Sequence, residues 1–140
     1  MTEMFDAGWL ESREPVDGRS RPAVAVTMIK QAWQQNGWSR ILDLGAGTGA
    51  NVRYLSPLLP TPQKWTLIDH DEQLLAAGSL PETAGVATKI VRNLSSGISK
   101  QIESTDVDLV TGSALLDLVS ESWVNEVVDT CRAKRRGVYF

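Results

Sequence analysis

The sequence predicts one α/β domain, a doubly wound parallel sheet of about five strands with helices on both faces. Two observations predict this fold class. Short apolar runs alternate with helical patterns along the chain, which is typical of parallel strands joined by right-handed crossovers. A glycine-rich turn, with glycines at 45, 47 and 49, follows the first apolar run and precedes a helical pattern. At 140 residues, the chain is long enough to bury a single core.

The first half of the chain predicts three helices and two strands around the glycine-rich turn. Helices are expected at 22–37, 51–59 and 71–78, and strands at 40–44 and 64–69. Pro22 suits the first turn of a helix, and Pro60 ends one because it lacks a backbone N–H. The apolar stripe of the first helix is expected to consist of Val24, Met28, Ala32 and Trp33.

The second half predicts strands at 88–92, 107–111 and 138–140 and a helix at 121–134. Parallel α/β sheets bind ligands beyond the carboxyl ends of their strands, where the strand order reverses. The glycine-rich turn, Asp69, Asn93 and residues 111–113 should meet at that edge. We expect the domain to span residues 21–140, with residues 1–20 as an amino-terminal arm.

The composition of the chain restricts the classes of partner and the cellular compartment that we expect. A net charge of −3 argues against a nucleic-acid-binding surface, which would carry a basic face. The single cysteine, Cys131, cannot form an internal disulfide and is typical of a reducing compartment. The sequence shows no secretory signal and no apolar run of about 20 residues that could span a membrane. These features predict a cytoplasmic protein without a membrane partner, and no metal site is predicted.

The residue before the glycine-rich turn favours one class of nucleotide ligand. Asp43 stands two residues before Gly45, where it would repel a pyrophosphate and attract an ammonium or sulfonium group. This charge favours an S-adenosyl ligand over a dinucleotide. The turn also satisfies the dinucleotide fingerprint if Ala50 takes its third small position. A nicotinamide-dependent (NAD) oxidoreductase therefore remains the less favoured alternative.

Three segments in sequence carry a family resemblance. Asp43-Leu44-Gly45-Ala46-Gly47-Thr48-Gly49 resembles motif I of the class I S-adenosylmethionine-dependent methyltransferases. Leu67-Ile68-Asp69-His70-Asp71 resembles the acidic strand motif that follows, and Asp106-Val107-Asp108-Leu109-Val110-Thr111 the fourth-strand motif. The resemblance implies a Rossmann-like fold, S-adenosylmethionine as cofactor, S-adenosylhomocysteine as product and methyl transfer as the activity.

The resemblance also implies which residues hold the cofactor. The glycine-rich turn would pack against its methionine moiety, and Asp69 would accept hydrogen bonds from both ribose hydroxyls. A helix N-cap is the alternative role for Asp69, although Asp71 fits that role better. The predicted cofactor-binding residues are Asp43, Gly45, Ala46, Gly47, Gly49, Asp69, His70, Asn93, Leu94, Thr111 and Ser113. The sequence identifies no catalytic residue.

Several of these residues have a second interpretation. Asn93, followed by Leu94, could accept the adenine amine or simply form a turn. Thr111 and Ser113 could lie beside the methyl-donor sulfur or only end the fourth strand. His70 could border the adenosine or face solvent.

Absent motifs restrict the methyl acceptor. After the fourth strand, Thr111-Gly112-Ser113-Ala114-Leu115 lacks the Asp/Asn-Pro-Pro-aromatic tetrad of enzymes that methylate amino groups of nucleobases or glutamine. The Pro-Cys nucleophile used to attack pyrimidine rings is also absent, because Cys131 follows Thr130. A small-molecule acceptor is therefore predicted by elimination.

The predicted sheet is shorter than that of the family, which usually has seven strands. Because the sequence ends at Val138-Tyr139-Phe140, inside the expected fifth strand, we expect the family's last two strands to be lacking. We expect a truncated domain that lacks much of the acceptor pocket and could by itself be inactive. The alternative is a natural, non-catalytic cofactor-binding half-domain that pairs through its open sheet edge, for example as a homodimer.

Overall fold

The computed structural model describes residues 23–112 and 120–140. Within them, helices and strands alternate. In chain order the elements are α1 (Ala23–Asn36), β1 (Arg40–Leu44), α2 (Ala50–Leu55), β2 (Lys64–Asp69), α3 (Glu72–Ala77), β3 (Ala87–Val91), α4 (Ile98–Ser104), β4 (Leu109–Thr111), α5 (Glu121–Ala133) and β5 (Gly137–Tyr139), with 3-10 turns at Ser56–Leu58 and Glu82–Ala84. The predicted amino-terminal arm and Ser113 lie outside the described residues.

The strands form one five-stranded parallel sheet in the order β3-β2-β1-β4-β5. The central strand β1 pairs with β2, with Leu44 opposite Ile68, and with β4, with Asp43 opposite Thr111. The strand order reverses between β1 and β4, so their carboxyl ends flank the crevice in which such sheets bind ligands. The predicted doubly wound α/β fold is confirmed.

Two apolar clusters cover the two faces of the sheet. On one face, α1 and α2 pack Trp33 and Leu55 against strand residues such as Ile41. On the other face, Ile98 of α4 and Trp123 of α5 belong to a second cluster. Its strand residues include Leu42, Leu44, Ile68 and Val110. Because successive strand residues point to opposite faces, Asp43 shares the face of Ile41, toward α2.

The structure differs from the sequence expectations most clearly in three places. The predicted stripe of α1 is wrong at Val24 and Met28, which are 67% and 65% exposed, since Val26, Ile29 and Trp33 form the buried face. The predicted helix at 51–59 is regular only to Leu55, because Pro57 has no N–H to continue the α-helical pattern. The structure also contains α4, which the sequence did not predict.

The described helices include none that is both long enough and apolar enough to cross a membrane.

Candidate functional site

The glycine-rich turn leads from the carboxyl end of β1 into α2 and lies against the carboxyl end of β2. Gly45, Gly47 and Gly49 have φ angles of 68°, 57° and 94°, in the left-handed region that side chains disfavour. The backbone N–H of Ala46 donates to the carbonyl of Ile68 over 2.9 Å, which ties the turn to β2. The conformation explains why the sequence has glycine at three alternate positions.

Asp69 is bound directly to this turn. Its Oδ2 accepts the backbone N–H of Gly47 at 2.9 Å, and its Oδ1 accepts that of Asp71 at 2.8 Å. The N-cap of α3 is Asp71, whose Oδ1 accepts the N–H groups of Gln73 and Leu74. The structure therefore separates the two roles that the sequence left open: Asp71 caps the helix, and Asp69 faces the glycine-rich turn.

His70 lies beside Asp69 and is partly exposed. Its Nδ1 is 3.5 Å from Oδ1 of Asp69, too long for a strong hydrogen bond. The imidazole of His70 thus lies next to Asp69, the residue predicted to bind the ribose. This position does not indicate a proton-transfer role for His70.

Three buried side chains form a hydrogen-bonded group beneath the turn, which we call the Asp43–Asn51–Thr111 triad. Oδ1 of Asp43 accepts both Nδ2 of Asn51 and Oγ1 of Thr111, each at 3.0 Å. Nδ2 of Asn51 also donates to Oγ1 of Thr111 at 3.0 Å. The triad joins β1, α2 and β4 at the point where the strand order reverses.

Asn51 was missed by sequence reasoning, although a signal for it exists. It shares the sheet-facing side of α2 with Val52 and Leu55, both fully buried. A polar residue on the buried face of a short helix needs hydrogen-bond partners, and Asp43 was the nearest candidate in the sequence.

A second group of contacts braces the glycine-rich turn from the α3 side. Nη1 of Arg53 donates to the carbonyls of Thr48 and Ser79, at 2.7 and 3.0 Å, and Nη2 donates to Oγ1 of Thr48. A Cβ added at Gly78 would lie 1.6 Å from the carbonyl oxygen of Thr48. The backbones at Gly78 and Thr48 thus touch, a contact that sequence spacing does not reveal.

The residues predicted to contact adenine follow the carboxyl end of β3. Asn93 is exposed, and its Oδ1 accepts the N–H of Ser95 at 2.8 Å, which is the turn-forming bond of the alternative interpretation. Leu94 packs its side chain in the core, and its carbonyl accepts Nε1 of Trp123. An adenine contact by either residue stays a prediction.

Most of the predicted cofactor-binding residues therefore lie together at the carboxyl ends of the strands. Asp43, the turn at 45–49, Asp69, His70 and Thr111 all lie at the carboxyl ends of β1, β2 and β4, whereas Asn93 and Leu94 follow the edge strand β3. Ser113 cannot be placed, because it lies outside the described residues.

Two other features fall outside this site. Cys131 is fully buried, and burial raises the pKa of its thiol to about 11, so it is not a nucleophile at neutral pH. An open cleft of about 380 Å³ lies between β2, β3 and α4, with Lys64, Arg92 and Gln101 among its lining residues.

Comparison with known proteins supports the fold. No protein-family profile and no curated protein sequence matches the chain. Solved structures do match. The O-methyltransferase TomG of Streptomyces achromogenes, in complex with S-adenosylmethionine, is 16% identical, with a TM-score of 0.50 over 93% of this chain and 63% of its own.

Two further methyltransferase structures agree with this match. The Podospora anserina methyltransferase PaMTH1, bound to S-adenosylhomocysteine, is 15% identical, with a TM-score of 0.52 over 88% of this chain and 53% of its own. An S-adenosylmethionine-dependent methyltransferase from Archaeoglobus fulgidus is also 15% identical, with a TM-score of 0.50 over 90% and 52%. The chain spans between about half and five-eighths of the length of these three proteins. It has the Rossmann-like fold of the class I S-adenosylmethionine-dependent methyltransferases.

Proposed function

We propose that the chain binds S-adenosylmethionine at the carboxyl ends of β1, β2 and β4 and serves as the donor-binding part of a methyltransferase. One observation carries the proposal: Asp69 is held 2.9 Å from the backbone nitrogen of Gly47, at the centre of a turn with three positive-φ glycines. A ligand on this turn would meet backbone at close range on one side and a carboxylate on the other.

The described residues suit the parts of such a cofactor. Each oxygen of Asp69 accepts one backbone N–H and can accept a second hydrogen bond, so the carboxylate retains capacity for a ribose diol. Asp43 lies beneath the turn, where its negative charge would favour the ammonium and sulfonium groups of the methionine moiety. When bound, the cofactor would supply an electrophilic methyl group.

The chemistry asks little of the protein beyond alignment. Holding the acceptor in line with the methyl–sulfur bond can itself supply much of the acceleration, and a base is needed only where the acceptor must lose a proton. We propose a small-molecule acceptor. Its support is the acidic net charge, the absent tetrad, and similarity to TomG, an O-methyltransferase involved in tomaymycin synthesis.

Calorimetric titration of the chain with S-adenosylhomocysteine tests the proposal. We expect saturable binding of one ligand per chain, and no saturable binding of NADH in a parallel titration. A folded sample that gives no heat with S-adenosylhomocysteine would contradict the proposed site. Saturable binding of NADH alone would instead support the oxidoreductase alternative.

The non-catalytic half-domain and its homodimer stay predictions, as does the cytoplasmic location. Sedimentation at several concentrations checks the homodimer, and a monomer throughout would contradict it.

A further inference from the structure

The Asp43–Asn51–Thr111 triad is more polar than its position in the fold requires. The exposed fractions of its members are 0%, 3% and 0%, and Leu44, Val52 and Val110, each a sequence neighbour of one member, are fully buried apolar residues. Burying polar groups costs free energy unless they are hydrogen-bonded. Even buried ion pairs can often be replaced by well-packed apolar residues without loss of stability. The triad therefore invites an explanation beyond packing.

Asn51 is the member that organises the other two. Its single nitrogen donates to Oδ1 of Asp43 and to Oγ1 of Thr111, and the Thr111 hydroxyl donates its own proton to that same Oδ1. The Thr111 hydroxyl proton is thus directed at Asp43. The carboxylate of Asp43 is fixed in one orientation by donors from two different elements, α2 and β4.

We infer that Asn51 is a positioning residue of the methyl-donor site: through its bonds to Asp43 and Thr111 it fixes a negative charge beneath the glycine-rich turn, so that S-adenosylmethionine binds more tightly, relative to S-adenosylhomocysteine, than it would without that charge. The inference rests on the proposed function. The two ligands differ in charge at sulfur, since the donor carries a sulfonium and the product a neutral thioether. A fixed anion nearby distinguishes them by Coulomb attraction, which water screens weakly at a buried site.

Loss of the Asn51 amide should lower the affinity for S-adenosylmethionine relative to that for S-adenosylhomocysteine. A buried carboxylate that loses a donor loses part of what stabilises its charge and its orientation. In Asn51→Leu, which keeps a similar side-chain volume without a donor, we expect the affinity ratio of S-adenosylmethionine to S-adenosylhomocysteine to fall about tenfold. If Asn51 had a purely structural role, its replacement would lower the affinity for both ligands equally and leave their ratio unchanged.

Calorimetric titration of both ligands into the wild-type chain and the variant measures this ratio. Gln101→Leu is the matched control, because Gln101 is a buried amide, 6% exposed, that donates to Thr105 on the α4 side of the sheet. We expect this control to lower the melting temperature and to leave the ratio at its wild-type value. A similar fall in both variants would overturn the inference.

A second pair of variants keeps the test decisive if Asn51→Leu does not fold. Thr111→Val removes the hydroxyl and should lower the ratio, whereas Thr111→Ser retains the hydroxyl and should preserve it. Equal ratios in these two variants would overturn the inference while leaving the proposed function intact. A wild-type chain that binds neither ligand would overturn both.

Discussion

The backbone N–H of Gly47 donates a hydrogen bond to Oδ2 of Asp69 over 2.9 Å, which fastens the turn after β1 to the carboxyl end of β2. The other oxygen of Asp69 accepts the N–H of Asp71, immediately before α3. One carboxylate therefore holds the two backbone segments between which a nucleoside would bind. The distinct roles of Asp69 and Asp71 can be separated by mutation.

Asp69→Asn should weaken binding of S-adenosylhomocysteine by about ten- to a hundredfold, because charge-assisted hydrogen bonds contribute about 1.5–3 kcal/mol. Asp71→Asn is the control, since asparagine caps helices as well as aspartate does. We expect its affinity to stay within about twofold of wild type. Calorimetric titration measures both. Equal losses in the two variants would show that the carboxylate of Asp69 has no special role.

Gly78→Ala should destabilise the fold by about 3 kcal/mol, the upper range for overpacking, because the new Cβ would lie 1.6 Å from the Thr48 carbonyl oxygen. The clash is with backbone, which cannot rotate away. Denaturant unfolding measures the change. Ser79→Ala serves as the control, because Ser79 contacts Arg53 through its carbonyl and its side chain is exposed. A Gly78→Ala protein as stable as this control would contradict the close contact.

Arg53→Met should lower both stability and ligand affinity, since it removes three hydrogen bonds to Thr48 and Ser79. Arg53 is half-buried, so we expect a loss of about 1–2 kcal/mol in the free energy of unfolding. Arg132→Met, at an exposed arginine of α5, is the matched control. Thermal unfolding with and without S-adenosylhomocysteine measures both effects, and identical behaviour of the two variants would refute the bracing role.

An ion pair at the opposite end of β1 should make stability depend on acid pH. Burial alone would raise the pKa of Asp108, but hydrogen bonds from the Arg40 side chain and from the N–H groups of Ser39 and Arg40 hold it below its usual value. The unfolded chain therefore binds this proton more tightly, and the carboxylate stabilises the fold above about pH 4. That contribution is lost as the pH falls through the lower pKa of the folded state.

Melting temperatures of wild type and Asp108→Asn, measured from about pH 2 to about pH 7, check this expectation. The variant should be less stable near neutrality, and the difference should shrink in acid. Asp106→Asn is the control, because the Asp106 side chain is 82% exposed and its pair with Arg40 should contribute little. A difference that stays constant with pH would contradict the role of Asp108.

The sequence was informative where the chain uses local chemistry. Strand β2 begins and ends as predicted, at Lys64 and Asp69, because its apolar residues and the Asp71 cap are both local signals. The glycine-rich turn and Asp69 could be identified for the same reason. Contacts between distant segments could not be. The bonds of Asn51 to Thr111 and the approach of Gly78 to Thr48 depend on how the elements pack.

Helix faces show the same limit. The stripe that begins at Val24 and the one that begins at Val26 both have helical spacing, and only packing against the sheet selects the second. The short helix α4 has little intrinsic signal, since Ile98 and Ile102 are the apolar residues of its seven. Its burial comes from contact with α5, so its existence depends on tertiary structure.

The most direct test of the central claim is to observe where the ligand binds. In a nitrogen-15 correlation spectrum of the wild-type chain, titrated with S-adenosylhomocysteine, we expect the largest shifts at the amides of Gly45, Gly47 and Asp71. These amides belong to the turn and to the partners of Asp69. Shifts confined to the cleft between Lys64 and Arg92, or none at a saturating ligand concentration, would contradict the proposed site.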